Sequence, residues 1–129
     1  MIGHEDIINI GYTNEVPKYL AVSNVFLFPS KKEGLPICIL ESLSMGVPVI
    51  TMNSRGNNDL IKDGYNGFLI DSSLNIDNTI SCIIFHIEKL YHNNILRTQL
   101  SENALKDKEQ FSRDRFIEEH KFLYSQLYL

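Results

Sequence analysis

The stretch from Phe28 to Glu41 constrains the fold more than any other, because it joins an apolar run to an apolar helix through a short polar loop. Residues 25–28 are all apolar, which is typical of a buried strand. The loop that follows is rich in proline, glycine and charge. Pro36 suits the first turn of a helix, because proline has no amide hydrogen to leave unpaired, and that helix is predicted over residues 37–45.

The start of this predicted helix offers a binding site for a phosphate group. The free amides of Leu35 and Ile37 point out of the helix end, where the helix dipole adds partial positive charge. Glu33 lies at the mouth of the loop, and Glu41 shares the helix face of Ile37. Phosphates would then lie between two carboxylates that can each bind a sugar hydroxyl. The alternative is a solvated loop acid and an ordinary exposed helix acid, although residues 37–40 leave little polar face for the latter.

The two acids and their context resemble a known motif. Glu33, seven residues and Glu41 are similar to the E-x7-E motif of retaining family 4 glycosyltransferases with the GT-B fold. The resemblance is continuous over residues 24–70 and weaker on both flanks. Its segments are Leu27-Phe28-Pro29-Ser30, Ser42-Leu43-Ser44-Met45-Gly46-Val47-Pro48-Val49-Ile50, Arg55-Gly56-Asn57-Asn58-Asp59-Leu60-Ile61 and Gly64-Tyr65-Asn66-Gly67-Phe68-Leu69-Ile70.

The fold class follows both from the pattern and from the resemblance. Alternating strands and helices favour a parallel α/β sheet. The resemblance implies a Rossmann-like sheet with flanking helices and further helices after the last strand. Residues 1–129 would form one domain, the distal part of the C-terminal nucleotide-sugar-binding domain of a GT-B enzyme. Strands are predicted at residues 6–11, 25–28, 49–52 and 68–70, and helices at 15–23, 37–45, 59–62, 75–92, 95–108 and from Ser112 onward.

Several helix ends and faces are predicted from local chemistry. Asn14 is expected to cap the first helix, and Ser112 to cap the last one. Asn57 or Asn58 is expected to cap the short helix at residues 59–62 rather than to contact a ligand. The apolar residues of the helix at 75–92 recur at helical spacing and are expected to pack inward: Ile76, Ile80, Ile83, Ile84, Ile87 and Leu90.

By resemblance, the chain would be the donor-binding part of a retaining glycosyltransferase that uses a nucleoside-diphosphate sugar. The resemblance implies that Glu33 is the catalytic acid, which contacts the sugar and supports charge development during transfer. It also implies that Glu41 holds the ribose hydroxyls.

The remaining donor-binding residues are also implied by the resemblance. They surround the start of the predicted helix or lie in the turn after the first predicted strand, where they would hold the nucleobase. An ordinary strand-to-helix turn is the alternative for that second group. The residues are Gly34, Leu35, Pro36 and Ile37 at the helix start, and Tyr12 and Thr13 in the turn.

No metal and no organic cofactor are expected, because the helix end and basic groups would act on the diphosphate. The resemblance implies a bacterial surface-polysaccharide or glycolipid pathway. A saccharide or lipid-linked acceptor would bind an N-terminal domain that nothing in this chain resembles, so poor transfer by this chain alone is expected, together with self-association or pairing with a matching N-terminal half. The alternatives are a non-catalytic nucleotide-sugar-binding module and a truncated, non-functional remnant.

Composition narrows the partners and the location. The net charge of −4 and pI near 5.5 argue against nucleic acid as a partner. Cys38 and Cys82 lie in apolar runs and are interpreted as reduced core residues. The sequence has no recognisable signal peptide and no apolar run of transmembrane length. A cytoplasmic location is therefore expected, peripheral at the inner membrane face in a complete enzyme.

Overall fold

A parallel sheet forms the centre of the molecule. The structure is a computed structural model that describes residues 6–127, apart from the side chains of Arg113, Phe116 and Leu127. In this part of the chain the strands are β1 (Phe26–Phe28), β2 (Val49–Asn53) and β3 (Gly67–Asp71), and they lie side by side in that order. Both pairs are parallel, with Phe26 opposite Val49 and Val49 opposite Gly67. The predicted parallel α/β sheet with flanking helices is confirmed.

Helices connect the strands and follow the last one. Their bounds lie within one or two residues of the predictions. They are α1 (Val16–Val22), α2 (Ile37–Ser44), α3 (Asn57–Leu60), α4 (Ile76–His92), α5 (Asn94–Asp107), a 3-10 turn (Lys108–Phe111) and α6 (Arg113–Leu127).

Two apolar cores cover the two faces of the sheet. Strand alternation sends Val49 to one face and Ile50 to the other, and both side chains are fully buried. The first core joins β2 to α2 and α3, with the buried residues Ile39, Leu43, Val49, Leu60, Ile61 and Ala104. The second joins β2 and β3 to α4 and α5, with Ile50, Met52, Phe68, Ile70, Leu90 and Leu100. The arrangement is therefore three-layered, with helices on both faces of the sheet.

The segment before α1 differs from its prediction. Residues 7–10 form no strand, and Ile7, Ile8 and Ile10 are exposed. An apolar run becomes a strand only where a neighbouring strand pairs with its backbone, and the described residues provide none. The predicted cap at Asn14 is also wrong: Glu15 holds the N-cap position of α1, with no side-chain capping bond among the described residues.

Helix α4 is apolar on two faces, which its periodicity did not reveal. Its N-cap is Asn75, whose Oδ1 accepts from the Asn78 amide at 2.9 Å. Leu90 is buried in the second core and Ile83 packs against it. The prediction that the whole apolar set packs inward is wrong. Four of its members form a solvent-facing stripe along the helix, together with Tyr91: Ile76, Ile80, Ile84 and Ile87.

His86 packs on the core side of α4. Its ring stacks on Phe68 with centroids 4.2 Å apart, and Phe85 meets it edge-on at 5.3 Å. Its buried Nδ1 has no hydrogen-bond partner within the described residues. Burial lowers the pKa of His86; the Asp63 charge raises this pKa, and the Lys89 charge lowers it.

We expect this histidine to make folding stability fall on mild acidification. Because its folded pKa lies below the ordinary value of about 6.5, the unfolded chain takes up a proton more readily. Stability is then highest above pH 6.5 and declines as the pH falls through that value. The thermal midpoint measured at pH 7.5 and 5.5 should show this decline, and a His86→Gln variant should show less of it. His92→Gln, at an exposed position of the same helix, should retain the full decline; equal declines in both variants would contradict the assignment.

Candidate functional site

The loop after β1 leads directly into α2 at the carboxyl end of the sheet, the usual ligand side of parallel sheets. Pro36 is the N-cap residue, with φ −75° and ψ 96°, so it lies one position before the predicted first turn. Its carbonyl accepts from the amides of Ile39 at 3.0 Å and Leu40 at 3.4 Å. Among the described residues, the amides of Ile37 and Cys38 donate no hydrogen bond to the backbone of another residue, as expected for the first amides of a helix.

Glu33 is fixed by a neighbour within this loop. Its side chain is half-buried, and the Ser30 hydroxyl donates a hydrogen bond to Glu33 Oε1 at 2.7 Å. A carboxylate held in this way points in one direction instead of sampling several rotamers. Sequence reasoning treated Ser30 only as a loop residue, although a hydroxyl three positions before an acid in a short loop is a usable signal.

Glu41 lies one turn further along α2 and is exposed. It also borders a groove of about 250 Å³ between α2 and the 3-10 turn, whose other lining residues include Ser44, Lys108 and Phe111. Glu33 does not line this groove. Glu41 is therefore exposed to solvent and accessible from the side of the 3-10 turn.

Cys38 lies between the two acids. Burial raises the pKa of the Cys38 thiol above its usual value, and the charges of Glu33 and Glu41 add to the rise. Backbone amide hydrogen bonds at Ile39 and Cys38 itself lower this pKa. Both carboxylates are thus near enough to Cys38 for their charges to act on its thiol.

A second loop, between β2 and α3, packs against the first. Gly56 has φ +86°, and a Cβ built there would lie 2.6 Å from the Gly34 carbonyl oxygen and 2.8 Å from that of Glu33. Any other residue would collide with this backbone, so the two loops meet in main-chain contact. Gly34 itself has open space around its own Cβ position.

The asparagines of this second loop do not cap a helix. Gly56 holds the N-cap position of α3, so the prediction of a cap at Asn57 or Asn58 is wrong. Asn57 is fully buried, and its Nδ2 donates to the Ser30 carbonyl at 2.9 Å and the Met52 carbonyl at 3.1 Å. The buried amide donates to main-chain carbonyls that converge from the ends of β1 and β2. Local sequence does not show that these carbonyls meet at Asn57.

The predicted base-binding turn makes no described contact with the two acids. Tyr12 is 94% exposed, and the Thr13 hydroxyl accepts from the Glu15 amide at 3.0 Å. No hydrogen bond or ring contact joins either residue to the acids in the part of the chain that the structure describes.

Two further features of the described residues concern metal binding and membrane spanning. Between residues 6 and 127, no three His, Cys, Asp or Glu side chains cluster as metal ligands would. Among the helices described there, none combines the length and apolarity needed to cross a bilayer.

Comparison with protein families gives one clear match. Residues 3–107 match the family described as "Glycosyl transferases group 1". The matched range contains the sheet, both loops and both acids.

Individual proteins agree with this match. The UDP-Gal:alpha-D-GlcNAc-diphosphoundecaprenol alpha-1,3-galactosyltransferase of Escherichia coli is 41% identical over 78 residues, 60% of this chain and 20% of its own length. An uncharacterized glycosyltransferase of Haemophilus influenzae is 32% identical over 119 residues, 91% of this chain and 32% of its own length. The chain thus spans about a fifth to a third of these curated relatives.

Among solved structures, the pneumococcal O-GlcNAc transferase GtfA in complex with UDP and GlcNAc superposes with a TM-score of 0.82. It is 27% identical, and the match covers 95% of this chain and 24% of that one.

Proposed function

This chain belongs to the family of group 1 glycosyl transferases, and from that premise we propose that it forms the donor-binding part of a glycosyltransferase. The proposed donor is a nucleoside-diphosphate sugar, and the proposed reaction retains the configuration of the transferred sugar. The family membership supports the reaction class. The donor contacts are inferred from this chain's own residues.

The observation that carries the proposal is the pair of acids around an open helix start. The amides of Ile37 and Cys38, which donate to no other residue's backbone among those described, offer hydrogen bonds and partial positive charge to a diphosphate. Glu33 and Glu41 flank these amides and can only accept hydrogen bonds when ionised. A ligand with a diphosphate between two hydroxyl-bearing sugars suits this arrangement, and a nucleoside-diphosphate sugar has that chemistry.

Each residue then has a distinct proposed role. Glu33, fixed by Ser30, accepts from a hydroxyl of the transferred sugar and supports the positive charge that develops there. Glu41 accepts from the ribose hydroxyls. The amides at the start of α2, rather than a metal ion, stabilise the departing diphosphate, since pre-aimed dipoles need no rearrangement as charge develops.

The remaining donor contacts are proposed for Gly34 and Leu35 beside Glu33, and for the exposed turn of Tyr12 and Thr13 at the nucleobase. UDP is the first nucleotide to test, because it appears in the name of the E. coli relative and in the pneumococcal complex. A lipid-diphosphate-linked saccharide is the proposed acceptor class of the whole protein, by analogy with the acceptor named for that relative.

Protection of Cys38 from alkylation tests this site directly. Because Cys38 lies at the start of α2 between the two acids, a bound nucleotide should shield it. At ten times its dissociation constant, UDP should slow modification by N-ethylmaleimide about elevenfold, the factor given by simple occupancy. Without nucleotide, the rate should keep rising with pH beyond the range of an ordinary thiol, because the raised pKa delays thiolate formation.

Cys82 provides the matched control. It is the other free cysteine, is also half-buried, and packs against the second core on α4. Its modification rate should not respond to UDP. Equal modification rates at Cys38 with and without saturating UDP or UDP-sugars would contradict the proposal. Protection of Cys38 without any hydrolysis or transfer of sugar by the whole protein would favour a non-catalytic binding module.

A further inference from the structure

Asn57 links the two loops of the site through a relay of hydrogen bonds. Its Nδ2 donates to the Ser30 carbonyl at 2.9 Å, and the Ser30 hydroxyl in turn donates to Glu33 Oε1 at 2.7 Å. Ser30 thus accepts a hydrogen bond at its backbone carbonyl and donates one from its side-chain hydroxyl. The position of the Glu33 carboxylate therefore depends on a residue that cannot touch a ligand, because Asn57 is fully buried.

The same amide also secures the sheet side of the relay. Asn57 Nδ2 donates to the Met52 carbonyl in β2 at 3.1 Å and to Ser54 Oγ at 3.1 Å. Beside it, Gly56 brings the loop into contact with the Glu33 and Gly34 carbonyls. The loop that carries Glu33 is consequently tied to the end of β2, the rigid central strand.

The Asn57 side chain bonds to the protein through one end only. Its Oδ1 is buried and has no hydrogen-bond partner within the described residues, which is unfavourable for folding. All the hydrogen bonds described for this side chain are made by its amide nitrogen. Here the amide meets the Ser30 carbonyl of the first loop, the Met52 carbonyl of β2 and the Ser54 hydroxyl of the second loop.

We propose that Asn57 is a positioning residue that holds the loop of residues 30–35 and so sets Glu33 for the transferred sugar. The inference rests on the proposed function in its second half only. The first half, loop order in the absence of ligand, is a property of the protein itself. Asn57 should accordingly influence the sugar half of the donor and leave the nucleotide half, at Glu41 and the start of α2, nearly unchanged.

Asn66 offers a closely matched control. It is also fully buried, its Nδ2 donates to the Leu60 carbonyl at 3.1 Å, and its Oδ1 accepts from the Lys62 amide at 2.9 Å. It holds the turn before β3 and makes none of these bonds to the loop of Glu33. Asn57→Ala and Asn66→Ala therefore remove the same side-chain chemistry at the same burial.

The first measurement uses the ligand-free 129-residue chain. Backbone ¹⁵N relaxation should give order parameters near 0.85 for residues 31–35 in the unaltered chain and in Asn66→Ala, and below about 0.6 in Asn57→Ala. Unchanged loop order in Asn57→Ala would overturn the proposal. If that variant does not fold, Asn57→Ser, which keeps one donor, takes its place in the same comparison.

The second measurement compares UDP with UDP-galactose by titration calorimetry. In Asn57→Ala the dissociation constant for UDP-galactose should rise about tenfold, as for a lost hydrogen bond to a charged group, while that for UDP changes less than about twofold. Equal losses for both ligands would show a merely structural role and overturn the assignment. If the unaltered chain binds neither ligand, the proposed function fails, and the relaxation experiment still decides whether Asn57 orders the loop.

Discussion

Replacing Glu41 with alanine should weaken UDP binding by about 1.5–3 kcal/mol, the range for hydrogen bonds to a charged group. That range corresponds to a loss of roughly 10- to 150-fold in affinity. Glu41 is exposed at the second turn of α2, and its carboxylate has no hydrogen-bond or salt-bridge partner among the described residues. Its removal should therefore affect a ligand's ribose and leave folding intact.

Pyrophosphate, which has no ribose, separates the two effects. Calorimetric titration of Glu41→Ala should show little change for pyrophosphate and a large change for UDP. Glu102→Ala removes an exposed acid from α5 and should leave both affinities unchanged. Equal losses of the two ligands in Glu41→Ala would mean that this residue acts on the fold and not on ribose.

Replacing Gly67 with alanine should destabilise the chain by about 3 kcal/mol, the upper end of the usual range for overpacking. A Cβ at this position would lie 2.2 Å from the Val49 carbonyl oxygen, and the Ile61 side chain is 3.2 Å away. Val49 is also the register partner of Gly67, so the clash falls within the pairing of β2 and β3. Neither strand can move aside without opening a core.

Gly34→Ala is the matched comparison, because nothing lies within 4 Å of its Cβ position. We expect its stability to be unchanged or up to about 1 kcal/mol higher, since alanine restricts the unfolded chain. Urea unfolding followed by circular dichroism measures both variants. Similar midpoints for Gly67→Ala and the unaltered chain would show that the approach of β2 to β3 is less close than described.

The features predicted well are those that short stretches of sequence encode. The apolar runs at β1, β2 and β3 need only local burial, and Glu33 and Glu41 lie in the loop and the helix that were predicted for them. The helix ends at Asn75 and Ser112 are also local: the Arg115 amide donates to Ser112 Oγ at 3.3 Å.

The features missed depend on partners distant in sequence. Asn57 and Ser30 are 27 residues apart, and nothing in local sequence announces that their loops meet. The run at residues 6–11 has strand-like composition, but pairing depends on a neighbour. The stripe on α4 has helical spacing, yet periodicity identifies an apolar face without showing whether another element covers it.

The order of the strands bears on how this chain folds. The strands β1, β2 and β3 pair in chain order. Each parallel pair is therefore joined by a single connection, which is residues 29–48 for β1 and β2 and residues 54–66 for β2 and β3. Short loop closures have a small entropic cost, and topologies of low contact order fold quickly. We therefore expect β2 and β3, which have the shorter connection, to pair first, with the first core as the nucleus, while Leu90 and Leu100 join the second core late. Truncating those two leucines should then accelerate unfolding much more than it slows folding.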